Sequence, residues 1–568
     1  MIKKDSHYAL SGKYFLATAW LIIILICCSI ALLSLVPPVD RDALTHHLAI
    51  PKLYLQAGEI IELPCIIFSY YPMNLDMLYM VSLYFGSDIA PKFIHFSFAI
   101  LTAFLIFQYL NNRLNRGYAL LGSLLFLSIP IIIKLSITVY VDLGLIFFST
   151  ASLLSVLKWV ETGFKLKYIL IAGFACGLAM GTKYNGLITL FLISMFVPFL
   201  YSRFNKNGSD NKNSLNHFTK SISWAVIFVL SALIIFSPWM VRNYKWTKNP
   251  LYPFYNSVFN PKIETECVIS KFTQDSGAGG LGVLGYRKLL YEESWWEMAL
   301  LPIRVFFQGA DNDFKHFDGR LSPLLLIFSI FAFIPFNKKK EPYDYEKKVL
   351  LAFAALFFAF AFFSTVLRIR YFSPSIPPLV ILSIYGLKNL VETLQNRASL
   401  KFIVAYLIII VSGIYLVVST TGYFIEQFKV VKPLQYISGK ISKDDYIASF
   451  RYEYPAMQYI NKNLLPDATV LFFYLGGRGY YCDRKYIPDS GNTVKMFYEM
   501  ISSIKSSDGV KPFFKELGIT HFLINNSIFM KSMAENIDKN ESDAISIFMQ
   551  RHTKKLFDEK GYSVFEII

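Results

Sequence analysis

The chain has 568 residues, 54% of them hydrophobic and 17% aromatic, and its mean hydropathy is +0.42. Repeated uncharged runs of about 20 residues exclude an ordinary soluble globular protein. The formal charge of +16 does not imply a nucleic-acid partner, because much of the excess lies in short loops between apolar runs, where Lys and Arg set membrane orientation.

The first apolar run, residues 15–36, is too long for a cleaved leader and lacks a small-residue cleavage site. It opens a series of about eleven predicted membrane helices: 15–36, 89–110, 118–134, 140–159, 168–182, 186–201, 221–240, 321–336, 349–366, 373–390 and 401–420. The loops between them alternate in character. One set is short and basic: Lys3, Lys4 and Lys13; Arg113 and Arg116; Lys165 and Lys167; Arg203, Lys206, Lys212 and Lys220; Lys338, Lys339 and Lys340. The positive-inside rule places that set in the cytoplasm. The long segments 37–88 and 241–320, and everything after 420, then fall outside, with the N-terminus inside. After 420 the pattern changes. Thr469 to Tyr474 and Ile519 to Ile524 read as strands, the second preceded by a helical stretch ending at Leu517-Gly518. The predicted architecture is a polytopic α-helical membrane domain, 1–420, followed by a soluble extracytoplasmic α/β domain, 421–568.

Six cysteines are present. Cys27, Cys28 and Cys176 sit in apolar runs as packing residues. Cys65, Cys267 and Cys482 fall in outer segments; three cannot all pair and no C-x-x-C spacing occurs, so neither a disulfide framework nor a cysteine metal site is expected.

The chemistry-bearing residues collect on the predicted outer face. Val36-Pro37-Pro38 ends the first span, and the stretch after Asp42 is helix-like, with Asp42 and His46 on one face. Asp42 reads either as a cap paired with Arg41 or as a general base at a membrane cleft. Asp142, at the outer start of the fourth span, reads as a cap or as a second acid of that cleft. Lys183, Arg242 and Arg370, the last followed by Tyr371, read either as interfacial anchors or as a phosphate site. His46 and His47 beside two acids leave a divalent metal open, but simpler hydrogen bonding is the favoured account, and no other cofactor is indicated.

Several segments carry a family resemblance. Asp40-Arg41-Asp42-Ala43-Leu44-Thr45-His46-His47-Leu48 resembles the first outer loop of the GT-C glycosyltransferases, nearest to the protein O-mannosyltransferase, aminoarabinose-transferase and rhizobial lipopolysaccharide-transferase group. Tyr71-Pro72-Met73-Asn74-Leu75-Asp76, Tyr140-Val141-Asp142-Leu143, Gly181-Thr182-Lys183-Tyr184-Asn185-Gly186, Pro238-Trp239 with Arg242-Asn243, and Arg370-Tyr371 match in the same order. The resemblance implies an inverting enzyme of the cell membrane. It would move a sugar from a polyprenyl-phosphate donor to a protein, lipid or glycan acceptor outside the cytoplasm. It implies an Asp base in the first loop, with Asp142, His46, His47, Lys183, Arg242, Arg370 and Tyr371 binding substrate. Many relatives carry Asp-Glu where this chain has Asp40-Arg41-Asp42; either acid can be the base, and Asp42 is the choice. The alternatives are a lipid or polysaccharide transporter, and a degenerate scaffold that binds a partner.

Overall fold

The protein is described by a computed structural model covering residues 12–205, 214–260, 267, 269, 282–334, 343–363, 366–393, 400–489, 493–504 and 509–568. Lys3, Lys4, Lys206, Lys212 and Lys338 to Lys340, expected in cytoplasmic loops, lie outside the described residues.

The apolar runs form helices. In chain order these are α1 (Lys13–Ser34), α2 (Ala49–Ala57), α3 (Asn74–Tyr84), α4 (Ala90–Arg113), α5 (Arg116–Leu127), α6 (Pro130–Ser136), α7 (Asp142–Glu161), α8 (Leu166–Thr182), α9 (Gly186–Phe204), α10 (Ser214–Thr247), α11 (Leu324–Phe331), α12 (Asp344–Phe362), α13 (Ile376–Thr393) and α14 (Leu400–Val431). α5 and α6 meet at a 67° bend. Pro130 opens α6 there, and its ring and missing N–H prevent the helix from continuing straight.

Ion pairs mark the two ends of this bundle. Arg113, closing α4, bonds Glu161 at the end of α7 and the fully buried Glu346 at the start of α12. At the other end Lys183, after α8, bonds Asp142 at the start of α7, and Arg370, before α13, bonds Asp42, after α1. Each predicted membrane run overlaps a helix or bent pair among the described residues; positions 335, 336, 364 and 365 of the predicted runs lie outside them. Among the described residues seven helices are long and apolar enough to cross a membrane, or eight if the bent pair is one span. α8 has 17 residues and α11 has 8, while α12 carries charges in its first turn. α8 nevertheless covers the length of α7, because the chain turns directly from Glu161 into α8 and Lys183 returns to Asp142.

α14 runs on to Val431, past the expected boundary at 420, so the sheet-bearing domain follows that residue. Its strands are β1 (Thr469–Phe473), β2 (Lys485–Ile487), β3 (His521–Asn525), β4 (Thr553–Glu559) and β5 (Tyr562–Ile567), in the order β2-β1-β3-β5-β4. β1 pairs parallel with β2 and β3, and β5 pairs antiparallel with β3 and β4. The domain rests on the segment between α1 and α4. Tyr480 N–H donates to Leu44 O at 3.1 Å, Lys52 Nζ donates to Tyr480 O at 2.7 Å, and Tyr481 OH donates to Pro38 O at 2.8 Å.

One expectation is corrected. Cys65 and Cys267 form a disulfide across 202 positions, where the sequence suggested none. Cys482, the third cysteine expected outside, is buried and free; it left the count odd and hid a pair that lies 202 positions apart.

Candidate active site

Pro37 and Pro38 end α1, and the chain then makes one wide π-type turn, Ala43–His47, before α2. The turn is held by its own backbone, with Leu48 N–H on Ala43 O and Leu44 N–H on Asp40 O. Its apolar residues Ala43, Leu44 and Leu48 are buried, which leaves Asp42, Thr45 and His46 along one side. They line a cavity of about 620 Å³ between the bundle and the C-terminal domain.

Asp42 caps no helix by its side chain and does not pair with Arg41. Its Oδ2 accepts from Arg370 Nη1 at 2.6 Å. The Arg370 guanidinium lies over the Tyr140 and Tyr371 rings, 5.0 and 5.5 Å from their centroids. Asp142 likewise makes no cap; its buried Oδ1 accepts from Lys183 Nζ at 2.6 Å. Lys183 also sits 5.4 Å from the centre of the Tyr371 ring, so Tyr371 joins the two ion pairs. His47 Nδ1 lies 2.7 Å from Asp76 Oδ1, and His46 stacks on Phe68 at 4.3 Å.

The two first-loop acids titrate in opposite directions. Burial opposes ionisation of Asp42, but the Arg370 charge and hydrogen bond outweigh it and hold the carboxyl well below the usual range. Asp40 is also buried, and the positive charges of Lys92, Arg451 and Lys134 do not compensate, so its carboxyl is pushed up. Burial, then the neighbouring His47, keeps His46 neutral at physiological pH.

Of the residues singled out from sequence, Asp40, Asp42, His46, His47, Lys183, Arg370 and Tyr371 line this cavity. Asp142 stands one contact behind it, through Lys183. Arg242 does not reach it. Its guanidinium is held between Trp239 and Trp246, at 4.6 and 4.9 Å, and its Nη2 donates to Tyr71 O at 3.0 Å; Tyr71 itself is a wall residue. Sequence reasoning missed Asp76, Tyr140 and Arg451 as wall residues. Asp76 and Tyr140 sit inside segments already singled out. Arg451 carries no motif and arrives only through the docking of the C-terminal domain.

Residues 59–246 match the family model of the dolichyl-phosphate-mannose-protein mannosyltransferases. No match was found among curated protein sequences. Among solved structures, ArnT from Cupriavidus metallidurans bound to undecaprenyl phosphate superposes with a TM-score of 0.56 at 14% identity, covering 97% of this chain and 98% of that one. The apo form of ArnT gives 0.55 at 15% identity, with the same coverage. The Archaeoglobus fulgidus oligosaccharyltransferase tethered to an acceptor peptide gives 0.52 at 12% identity, covering 98% of this chain and 74% of that one. The chain therefore has the fold of the integral-membrane GT-C glycosyltransferases, and the family match supports a glycosyltransferase.

Proposed function

We propose that the protein transfers a sugar from a polyprenyl-phosphate donor to an acceptor at the extracytoplasmic face of a membrane, with inversion at the anomeric carbon. The observation that carries this reading is the Asp42–Arg370 pair at 2.6 Å in a cavity where the bundle meets the C-terminal domain. The undecaprenyl phosphate bound to ArnT supports a lipid-phosphate carrier here by likeness of fold. The Cys65–Cys267 disulfide supports an oxidising, extracytoplasmic compartment for this end.

In this reading Arg370 is the exchange point. A carrier phosphate competes with Asp42 for its guanidinium, since arginine pairs with phosphate oxygens as readily as with carboxylate. Arg370 and Lys183 then stabilise the phosphate as it leaves C1. Asp42, released from Arg370, becomes more basic and takes the proton from the acceptor hydroxyl or amine as that group attacks C1. Arg242, behind Tyr71, supports the wall of the phosphate side.

Asp42→Asn is expected to lower transfer by about 10² to 10⁴ while leaving isoprenoid-phosphate binding intact; transfer near the wild-type rate removes Asp42 from the chemistry. A second reading has Asp40 as the base, favoured by its raised proton affinity and by the lack of a side-chain ion pair to it among the described residues. The acid limb of kcat/KM for the donor, which reports the free enzyme, separates them. With Asp42 as base the limb lies below the ordinary carboxylate value of about 3.9. With Asp40 it lies above that value and disappears in Asp40→Asn along with the activity.

A further inference from the structure

The seam between the first outer loop and the C-terminal domain holds a group of arginines that the transfer reading leaves unused. Arg41 is exposed, lines the mouth of the cavity, and makes no hydrogen bond or ion pair among the described residues. Arg451 lines the same cavity; its Nε donates to Val39 O at 2.5 Å, and no carboxylate stands within ion-pair distance among the described residues. Arg478 is paired with the buried Glu453.

Their convergence has a backbone cause. β1 ends in the loop Tyr474-Leu475-Gly476-Gly477-Arg478-Gly479, where Gly476 and Gly477 take φ of +62° and +74°. A β-carbon on Gly476 would stand 3.3 Å from Arg41 Nη2 and 3.3 Å from Arg478 Nη1. Two guanidiniums from different domains thus close on one bare backbone point. Asp489 braces the loop from behind, its Oδ2 accepting from Tyr474 N–H at 2.9 Å. Burial, then repulsion from Arg478, makes the Arg451 guanidinium a weaker base than usual.

Like charges held this closely repel by an amount that grows as water is excluded. Glu453 pairs with Arg478 and also attracts Arg451; Asp489 faces Arg478 too, but burial pushes its carboxyl up. Asp40 lies near Arg451 without forming an ion pair, and its carboxyl is itself pushed up by burial. The arrangement is therefore short of negative charge where the C-terminal domain meets the cavity. A guanidinium fork matches the oxygens of a phosphate or carboxylate, and the end of a parallel strand is where open α/β sheets receive ligands.

We propose that Arg41, Arg451 and Arg478 form a subsite for an anionic group, phosphate or carboxylate, carried by the acceptor, with the C-terminal domain supplying two of the three cations. The role as acceptor subsite rests on the sugar-transfer reading; anion binding by the cluster does not. The anion would hold the acceptor at the seam while its nucleophile reaches past Thr45 toward the first-loop acids.

The full-length protein in phosphatidylcholine nanodiscs is treated with phenylglyoxal, and modification of Arg41 and Arg451 is followed by peptide mass spectrometry with inorganic pyrophosphate as probe. Protection is expected to be saturable, slowing modification roughly tenfold at about ten times the probe's Kd. It is expected to vanish at Arg41 in Arg451→Gln and in Arg478→Gln. Unchanged modification, or protection that survives both substitutions as for an adventitious ion only, overturns the proposal. Protection by acetate as well as pyrophosphate extends the ligand to carboxylates. Protection by phosphatidylglycerol nanodiscs without added probe supports the site with a lipid headgroup as its source. A parallel measurement follows retention of an isoprenoid phosphate. If Arg41→Gln weakens it as Arg370→Gln does, the cluster belongs to the carrier site and the proposal fails. If Arg370→Gln leaves it unchanged, the carrier reading fails while the anion subsite stands.

Discussion

Asp42 and Lys183 each reach across the cavity end to a partner far away in sequence, and both pairs tie chemistry to stability. Asp42 is held below the ordinary carboxylate value of about 3.9, chiefly by Arg370 against the cost of burial. The folded state therefore binds fewer protons there than the unfolded chain, and the pair's stabilisation is complete above that value and lost as pH falls below it. The melting-temperature advantage of wild type over Asp42→Asn should be constant above about pH 5 and shrink below about pH 4; an advantage that grows on acidification would contradict the pairing. The Lys183–Asp142 pair is buried on the Asp142 side, so removing one partner is expected to cost about 3 kcal/mol or more. Asp142→Leu with Lys183→Met should recover much of that stability in thermal unfolding, while sugar transfer stays low because the phosphate side has lost a cation. Much of this site was legible because its residues lie in short polar motifs at the ends of long apolar runs. The pairings were not. Spacing alone offered Arg41 as the partner of Asp42, and only the turn between α12 and α13 brings Arg370 there instead.

Between helices, contact is set by missing side chains. Gly173, Gly177 and Gly181 recur every fourth residue on α8. A β-carbon on Gly177 would meet Ala232 O at 2.5 Å, and one on Gly173 would meet Phe228 O at 2.8 Å, so α10 packs directly on the α8 backbone. The same face ends at Gly181, against the Asn74 side chain, whose Oδ1 accepts from Trp239 Nε1 at 2.8 Å. A bulkier residue at 177 pushes α10 away and carries Trp239 and Arg242 with it. Gly177→Val should therefore lower stability by about 1–3 kcal/mol and lower transfer beyond what that loss explains at a permissive temperature. Unchanged melting and activity would show that the helices do not meet there. The membrane runs could be read from sequence because each is a continuous apolar stretch, whereas α2 and α3, short and interrupted by polar residues, could not. Only two of the five strands could. β1 and β3 are apolar and buried, whereas β4 does not alternate: exposed Lys554-Lys555 and Asp558-Glu559 flank part-buried Leu556-Phe557 across an irregularity in the register, a pattern dominated by its charges. The turn that joins β4 to β5 has Lys560 and Gly561 at φ of +51° and +80°; both central residues are left-handed, as hairpin turns require, but Lys-Gly is a weaker signal than Asn-Gly.

At the scale of the molecule, function depends on which end of the bundle faces the cytoplasm. Arg113 and Arg116 lie at one end, and the cavity, the disulfide and the C-terminal domain lie at the other. Positive loops stay in the cytoplasm and disulfides persist in oxidising compartments, so two independent physical rules point the same way. Ser438, exposed after α14, and Arg116, exposed at the start of α5, are then expected in opposite compartments. In a background with Cys27 and Cys28 changed to Ser, an impermeant maleimide should label Ser438→Cys in intact cells and Arg116→Cys only after lysis; the reverse pattern would put the cavity in the cytoplasm and exclude an extracytoplasmic acceptor. The disulfide supplies a second check that requires no new cysteine. Alkylation of the denatured, unreduced protein should leave Cys65 and Cys267 blocked and modify Cys27, Cys28, Cys176 and Cys482. Cys65→Ser should lower stability by about 2–5 kcal/mol. The bond ties the segment after α10 to the segment between α1 and α4, which carries Asp40 and Asp42. Transfer should therefore fall more steeply with temperature in the variant than in the wild type. If both cysteines alkylate without reduction while Ser438→Cys still labels from outside, the orientation stands and the loops are held by packing alone.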